Sequence, residues 1–325
     1  MFNYQNQDKI SPPCPICGST QFRQLASNDR YGMGIKTTGC QRCGLVQTRP
    51  RLTSQSMSRF YRESYRQYYQ AVNSPNVDYI NCYHKDERLA YTAKLIASNV
   101  ELLAGMRVLD VGCAEGTLFS NLKTHCGEGL IFVGVEPSES YAAYSRKMTG
   151  CTTYQNIDEL LSAREDNFHL IVVNHVLEHV NDPVLFLEQL RGLLSSNGLL
   201  FVDVPDVFGY SSPRDLHIAH NFHFSRQTLT AAMDKAGFRV KTIALHTPPH
   251  HPISVWCLVE KRTTELHMLQ QSMGTELVAW KRIKWINKLI PLYLLKVRLR
   301  RNRIISLILE NRCKVSLTGL KRKKH

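Results

Sequence analysis

Apolar residues between positions 86 and 262 alternate between short unbroken runs and stretches of helical spacing. Asp86–Leu103 puts Leu89, Ala93, Leu95, Ile96, Val100 and Leu103 on one helical side. Arg107–Val111 reads as a strand, Thr117 onward as a helix, and Leu130–Val135 as a second strand. Helix Glu139–Met148 follows, with Ser138 as its cap. The alternation continues through strand Thr152–Gln155, helix Ile157–Ala163, strand Leu170–Val173 and helix Val184–Leu194, which Pro183 opens. A turn at Ser195–Gly198 leads to strand Leu199–Val204, and Ser211–Phe224, polar and without period, predicts an irregular loop. Ser225 caps helix Arg226–Ala236, Gly237 ends it, and strands Arg239–His246 and Ser254–Lys261 close the pattern. Strands alternating with helices predict an α/β fold whose parallel sheet has right-handed crossovers.

The turn after the first strand carries the first chemical signal. Asp110-Val-Gly112-Cys-Ala114-Glu-Gly116 joins strand to helix through small residues, so a ligand can approach the backbone and the free N–H groups of a helix start. The spacing is not the G-x-G-x-x-G of dinucleotide sites, so no pyrophosphate cradle is spelled out. Glu136 ends the second apolar run, 20 positions after Gly116, where a carboxylate can accept hydrogen bonds from both hydroxyls of a ribose.

Outside the alternation the pattern changes. Cys14-Pro-Ile-Cys17-Gly and Cys40-Gln-Arg-Cys43-Gly are two C-x-x-C-G knuckles, with 22 residues between Cys17 and Cys40. Four thiolates at this spacing match a tetrahedral structural Zn²⁺ with no open coordination position. The metal then acts as a staple for a segment too short for a large core. Cys82, Cys113, Cys126, Cys151, Cys257 and Cys313 read as small apolar residues. These changes divide the chain into a zinc ribbon (1–50), a helical linker or cap (51–105), the α/β domain (106–262) and a tail (263–325).

VLDVGCAEG, GVEPS, HVLEHVNDP (His175–Pro183) and GLLFVDVPD (Gly198–Asp206) occur in that order, and together they resemble class I methyltransferases that use S-adenosylmethionine (SAM). With CPICG and CQRCGLV in front and HFSRQTLTAAMDKAGF behind, the chain looks like the subgroup that has an N-terminal zinc-binding domain. That subgroup includes sugar C-methyltransferases and enzymes of polysaccharide and natural-product biosynthesis. The resemblance implies a Rossmann-like sheet of seven strands, with the last two strands at one edge. It also implies that Asp110, Gly112, Ala114 and Gly116 line the methionine end of SAM, and that Glu136 holds the ribose. Asn156, or its competitor Asp158, would meet the adenine, and Asn174-His175 would form the loop beneath the donor.

Histidines cluster after the fourth and fifth strands, at the carboxyl ends where open α/β sheets bind ligands. His175, His220 and His223 are the candidates for proton transfer, with His217 beside them. Glu178 and His179 belong to a pattern shared by enzymes with many acceptors and read as structural or donor-positioning. His220-Asn-Phe-His223 lacks the acidic residue that sugar C-methyltransferases carry in a related loop, which leaves carbon and oxygen acceptors equally open. Tyr61, Tyr65, Tyr68 and Tyr69 fall on roughly one helical face and read either as packing or as lining of an acceptor pocket.

Charge then separates the tail from the body. The formal net charge is +14, and residues 262–325 hold 16 Lys and Arg against three Glu, leaving +1 for the rest. A neutral body disfavours nucleic acid as a partner, since phosphate binding needs a basic face. Trp280–Arg301 interleaves Trp, Ile and Leu with Lys and Arg, which suits the surface of an anionic membrane, and Pro291 predicts a break or kink in any helix there. No stretch is apolar over the 18 residues a spanning helix needs, and the N-terminus lacks a signal-peptide core, so a cytoplasmic protein is expected. The expected activity is methyl transfer from SAM to a small acceptor such as a sugar or nucleotide sugar. The alternatives are an RNA-modifying or RNA-binding protein and a non-catalytic SAM-fold scaffold.

Overall fold

A computed structural model describes residues 2–65, 75, 80–81, 83–262 and 276–320, with side chains as far as Leu299. The N-terminal unit contains β1 (Lys9–Ile10), β2 (Phe22–Ala26), β3 (Thr37–Cys40), β4 (Val46–Thr48) and β5 (Arg51–Leu52). Strands β2, β3 and β4 pair antiparallel, and β1 pairs with β5. Thr53 caps α1 (Ser54–Phe60) by accepting a hydrogen bond from the Ser56 amide, and a π-helical turn, Tyr61–Tyr65, continues it. Tyr68 and Tyr69 lie outside the described residues.

The α/β domain begins with α2 (Lys85–Ala97), which ends short of the predicted Leu103. Strands β6 (Arg107–Val111), β7 (Ile131–Val135) and β8 (Thr152–Tyr154) alternate with α3 (Thr117–Cys126) and α4 (Glu139–Thr149). Then come α5 (Ile157–Ser162), β9 (Phe168–Asn174), α6 (Pro183–Leu193) and β10 (Leu194–Pro205). The predicted turn at Ser195–Gly198 is absorbed into β10 as an irregularity between Leu194 and Leu199. Gly198 is required there, because an added Cβ would lie 2.6 Å from the Phe168 carbonyl oxygen. After β11 (Phe222–His223), Ser225 caps α7 (Arg226–Lys235) with a reciprocal capping box, and β12 (Phe238–His246) and β13 (Ser254–Lys261) follow.

The central sheet has seven strands in the order β12-β13-β10-β9-β6-β7-β8. Strands β8, β7, β6, β9 and β10 are parallel, and β13 runs antiparallel between β10 and β12. The central strands are buried on both faces, as their near-continuous apolar sequences require. One face packs against α6 and α7 through Leu187, Leu190, Leu229 and Met233, the other against α2 and α3 through Ala93, Ile96, Phe119 and Leu122.

Two expectations fail. The segment predicted as an irregular loop contributes β11, which pairs with β4 and extends the ribbon sheet to four strands. The tail is not broken at Pro291. Residues 276–320 form one helix, α8 (Glu276–Leu320), with the proline inside it. Its first turns dock on the ribbon, burying Ala279, Trp280, Ile283, Ile286 and Ile290 against Leu25, Val46 and Leu216. That contact offsets the hydrogen bond the proline removes. No described helix is long and apolar enough to cross a membrane.

Candidate active site

A cavity of about 1430 Å³ opens at the carboxyl ends of β6, β7, β9 and β10. On one side it is lined by the turn after β6. Gly112 has φ +82°, and a side chain there would meet Val176 at 2.6 Å. Ala114 also sits in the left-handed region, at φ +46°, and Gly116 at φ +82° starts α3. The Gly112 and Cys113 amides donate to the Val135 carbonyl, tying this turn to the end of β7. Of the residues expected at the donor, Asp110, Gly112, Ala114 and Glu136 line the cavity, whereas Gly116, at the start of α3, does not.

Three buried carboxyl groups meet here. Burial, then the charges of Glu115 and Glu136, push Asp110 up to about 8. Glu115 Oε1 lies 3.5 Å from Lys85 Nζ, while its Oε2 has no hydrogen-bond partner among the described residues. One oxygen of Glu136 accepts from the Ser138 amide at 2.8 Å, which aims the carboxylate at the cavity. Carboxylates gathered out of water call for a cation. SAM brings a sulfonium, an α-ammonium and ribose hydroxyls, so the residues present fit it. Asn156 lines the rim, but its side-chain oxygen is used as the cap of α5, accepting from the Glu159 amide at 2.9 Å. Asn174, at the end of β9, reaches the cavity with its Oδ1 unpartnered among the described residues.

The opposite wall is built from four separated segments. His175 (φ +55°), Glu178 and His179 come from the loop after β9, and His217 and His220 from the segment after β10. Tyr61 and Tyr65 come from the π-helical turn, and His251 from the β12–β13 connection. Glu178 is 1% exposed, and three imidazoles face its Oε1: His175 Nδ1 at 3.4 Å, His179 Nε2 at 3.7 Å and His220 Nε2 at 3.9 Å. Burial holds His175 down to about 4 and keeps His217 and His220 well below the usual imidazole range, so all three are neutral bases at neutral pH. Burial also raises Glu178.

His223 is placed differently from the expectation. It is 2% exposed, does not line the cavity, and its Nδ1 is 2.9 Å from the Tyr210 hydroxyl. As part of β11 its backbone is committed to the ribbon sheet, so strand pairing turns its side chain into the core. Glu178 takes the central position that the sequence left to a positioning role. Its LEH context was the available signal, but only folding shows that three histidines surround it.

The ribbon fixes this wall. The Thr48 amide donates to the Asn221 carbonyl, and the Thr48 hydroxyl donates to the His220 carbonyl at 2.9 Å. The Asn221 and Phe222 amides donate to the Glu178 carbonyl, and the Asn221 side chain to those of His179 and Val180. The knuckles meet at the far end of the ribbon, with Cys14–Cys43 and Cys17–Cys40 Sγ distances of 3.5 Å. All four sulfurs lie within 4.8 Å of one another. Tetrahedral Zn–S bonds of ~2.3 Å put sulfurs about 3.8 Å apart, so the cluster fits that ion.

Residues 83–243 match a family model described as a methyltransferase domain. A ubiquinone biosynthesis O-methyltransferase of Bradyrhizobium diazoefficiens is 32% identical over 113 residues, covering 32% of this chain and 42% of that protein. The enzyme of the same name from Coxiella burnetii is 35% identical over 104 residues, covering 30% and 43%. The chain thus spans less than half the length of these curated relatives. A solved SAM-dependent methyltransferase from Mesorhizobium loti superposes with a TM-score of 0.43 at 18% identity, covering 53% of this chain and 98% of that one. With the seven-stranded sheet, the open glycine turn and Glu136 at the end of β7, the family match makes residues 83–243 a class I, SAM-dependent methyltransferase domain.

Proposed function

We propose that this chain methylates a hydroxyl oxygen of a small, hydroxyl-rich acceptor of the sugar class, using SAM. The carrying observation is one cavity with a carboxylate wall for the cationic donor and a wall of neutral imidazoles facing it. Its volume exceeds the roughly 300–1,000 Å³ of a usual small-molecule site, leaving room for donor and acceptor together. The name of the relatives supports oxygen as the methylated atom.

Bound SAM supplies a methyl carbon already activated by a positive sulfur. Glu136 holds the ribose, and Asp110 and Glu115 offset the positive charges. Among the catalytic candidates His175 and His220 line the cavity, and a neutral imidazole there takes the acceptor proton as the oxygen attacks. The buried Glu178 carboxylate stabilises the imidazolium that forms. Tyr61 and Tyr65, packed edge-on to Phe60, give the acceptor a flat apolar wall. The cysteine cluster holds Zn²⁺ as a structural staple.

The tail adds a location. Beyond its docked turns α8 exposes Leu292, Leu295, Val297 and Leu299 beside Lys288, Lys296 and Arg298. We read this as a peripheral contact with an anionic membrane, where lipid-linked acceptors reside. Mass analysis of reactions with nucleotide sugars and lipid-linked saccharides should show one added methyl group and release of S-adenosylhomocysteine. SAM binding with no turnover on either class would overturn the acceptor reading.

A further inference from the structure

We propose that Glu178, His179 and His220 form a second metal site, one that binds a divalent first-row transition ion in the acceptor wall. The donor atoms of these residues lie within 4.8 Å of one another. Both Glu178 carboxyl oxygens are buried and accept no hydrogen bond among the described residues, so a polar group sits in the protein interior with nothing donating to it. His179 Nδ1 is 2.7 Å from the Ala219 carbonyl oxygen, which can only accept, so Nδ1 carries the proton. In the neutral ring the Nε2 lone pair therefore points at the Glu178 carboxylate, 3.7 Å away. Two lone pairs face to face repel, and a metal ion held between them turns that repulsion into ligation. A second-shell carbonyl that fixes the tautomer is also how metal-binding histidines are oriented.

His220 Nε2 completes the set at 3.9 Å from the same oxygen. Ligand atoms bonded at ~2.1 Å to a tetrahedral ion lie about 3.4 Å apart, so each histidine needs to approach Glu178 by only a few tenths of an ångström. The backbone resists larger ones, since the Asn221 and Phe222 amides clamp the Glu178 carbonyl. Two imidazoles and one carboxylate favour Mn²⁺, Fe²⁺, Co²⁺ or Zn²⁺ over Mg²⁺ and Ca²⁺, which prefer oxygen alone. Three protein ligands leave positions open toward the cavity, where an acceptor hydroxyl can bind and become more acidic. This last point rests on the function proposed above. It makes His220 a ligand and leaves the acceptor proton to His175 and His217, which line the same cavity.

The test is Co²⁺ and Mn²⁺ titration of the full-length protein, with SAM calorimetry on the same samples. We expect two Co²⁺ per chain, one with intense thiolate charge-transfer absorption and one with only weak visible bands. Mn²⁺ should occupy the second site alone and lose its free-ion paramagnetic resonance signal. Glu178→Gln and His220→Asn should each weaken that second equivalent at least ~100-fold while retaining the thiolate site and SAM binding. A single Co²⁺ on the thiolates of the wild type, or a second equivalent that survives both substitutions, would overturn the site. A second metal with no turnover on any small acceptor would leave the site standing and sink the proposed activity.

Discussion

The two walls of the cavity are built in opposite ways. The donor wall comes from consecutive strand–helix turns: Asp110 to Gly116 follow β6, and Glu136 follows β7. Its shape is set by left-handed backbone positions and by two amides that donate to one carbonyl of the neighbouring strand. The acceptor wall draws on the π-helical turn, the β9 loop, the segment after β10 and the β12–β13 connection, and is braced from behind by the ribbon and α8. A local wall can be kept with little support, whereas a wall assembled at long range depends on each of its struts. The lesson is that donor binding and acceptor chemistry should be separable by mutation.

Breaking the cysteine cluster should have the largest effect. Cys40→Ser should abolish zinc retention and cost the ribbon folding energy on the order of 10 kcal/mol. Turnover should collapse and amide exchange rise at residues 216–224, with SAM affinity little changed in calorimetry. A parallel loss of SAM binding would break the comparison. From the other side, Glu136→Ala removes charge-assisted hydrogen bonds to the ribose worth ~1.5–3 kcal/mol each, so SAM should bind about 100-fold more weakly or worse. Zinc content and exchange in the ribbon should stay as in the wild type.

Trp280 tests the strut that the tail provides. It is 5% exposed, lies over Gly39, and its Nε1 donates to the Gly44 carbonyl at 3.1 Å. Trp280→Ala should destabilise by about 3 kcal/mol in denaturant unfolding, with the loss centred on the ribbon and the acceptor wall.

A smaller, pH-dependent effect sits at the start of the same helix. Glu276 accepts from the Ser225 hydroxyl at 2.7 Å, and burial raises it to about 7. The folded state therefore holds a proton that the unfolded chain has released. The resulting stability is full below the unfolded value near 4.5 and is lost as pH rises through 7. Thermal unfolding between pH 4.5 and 7 should show this decline, and Glu276→Gln should flatten it. Smallest is the gain expected at Ala114, whose φ of +46° glycine adopts freely. Ala114→Gly should raise stability by about 1 kcal/mol in denaturant unfolding and leave the acceptor wall untouched.

Much of this was legible in advance for a physical reason. Strand ends, helix caps and the glycine turn follow from local rules, and Ser225, Pro183 and Gly237 stand where those rules put them. Asn156 serves as a helix cap through its side-chain oxygen and lines the cavity as well, a double placement that spacing alone does not show. His223 misled because a polar segment without period gave no sign of strand pairing, and β11 needs only backbone amides and carbonyls. The π-helical turn put Tyr61 and Tyr65 beside Phe60 and on the cavity, so these tyrosines both pack and line the cavity.

By itself, then, the sequence determined the alternation of strands and helices, the open turn after β6, the carboxylate at the end of β7 and the paired cysteines. Each is written in residues within a few positions of one another or in a regular period. Only the tertiary structure decided that Thr48 would hold the His220 carbonyl across 172 positions, that Trp280 would reach Gly44 across 236, and that three histidines would face Glu178. Those contacts arise from packing and from backbone pairing, which any side chain of suitable size can accompany, and so they leave no mark in the spacing of the sequence.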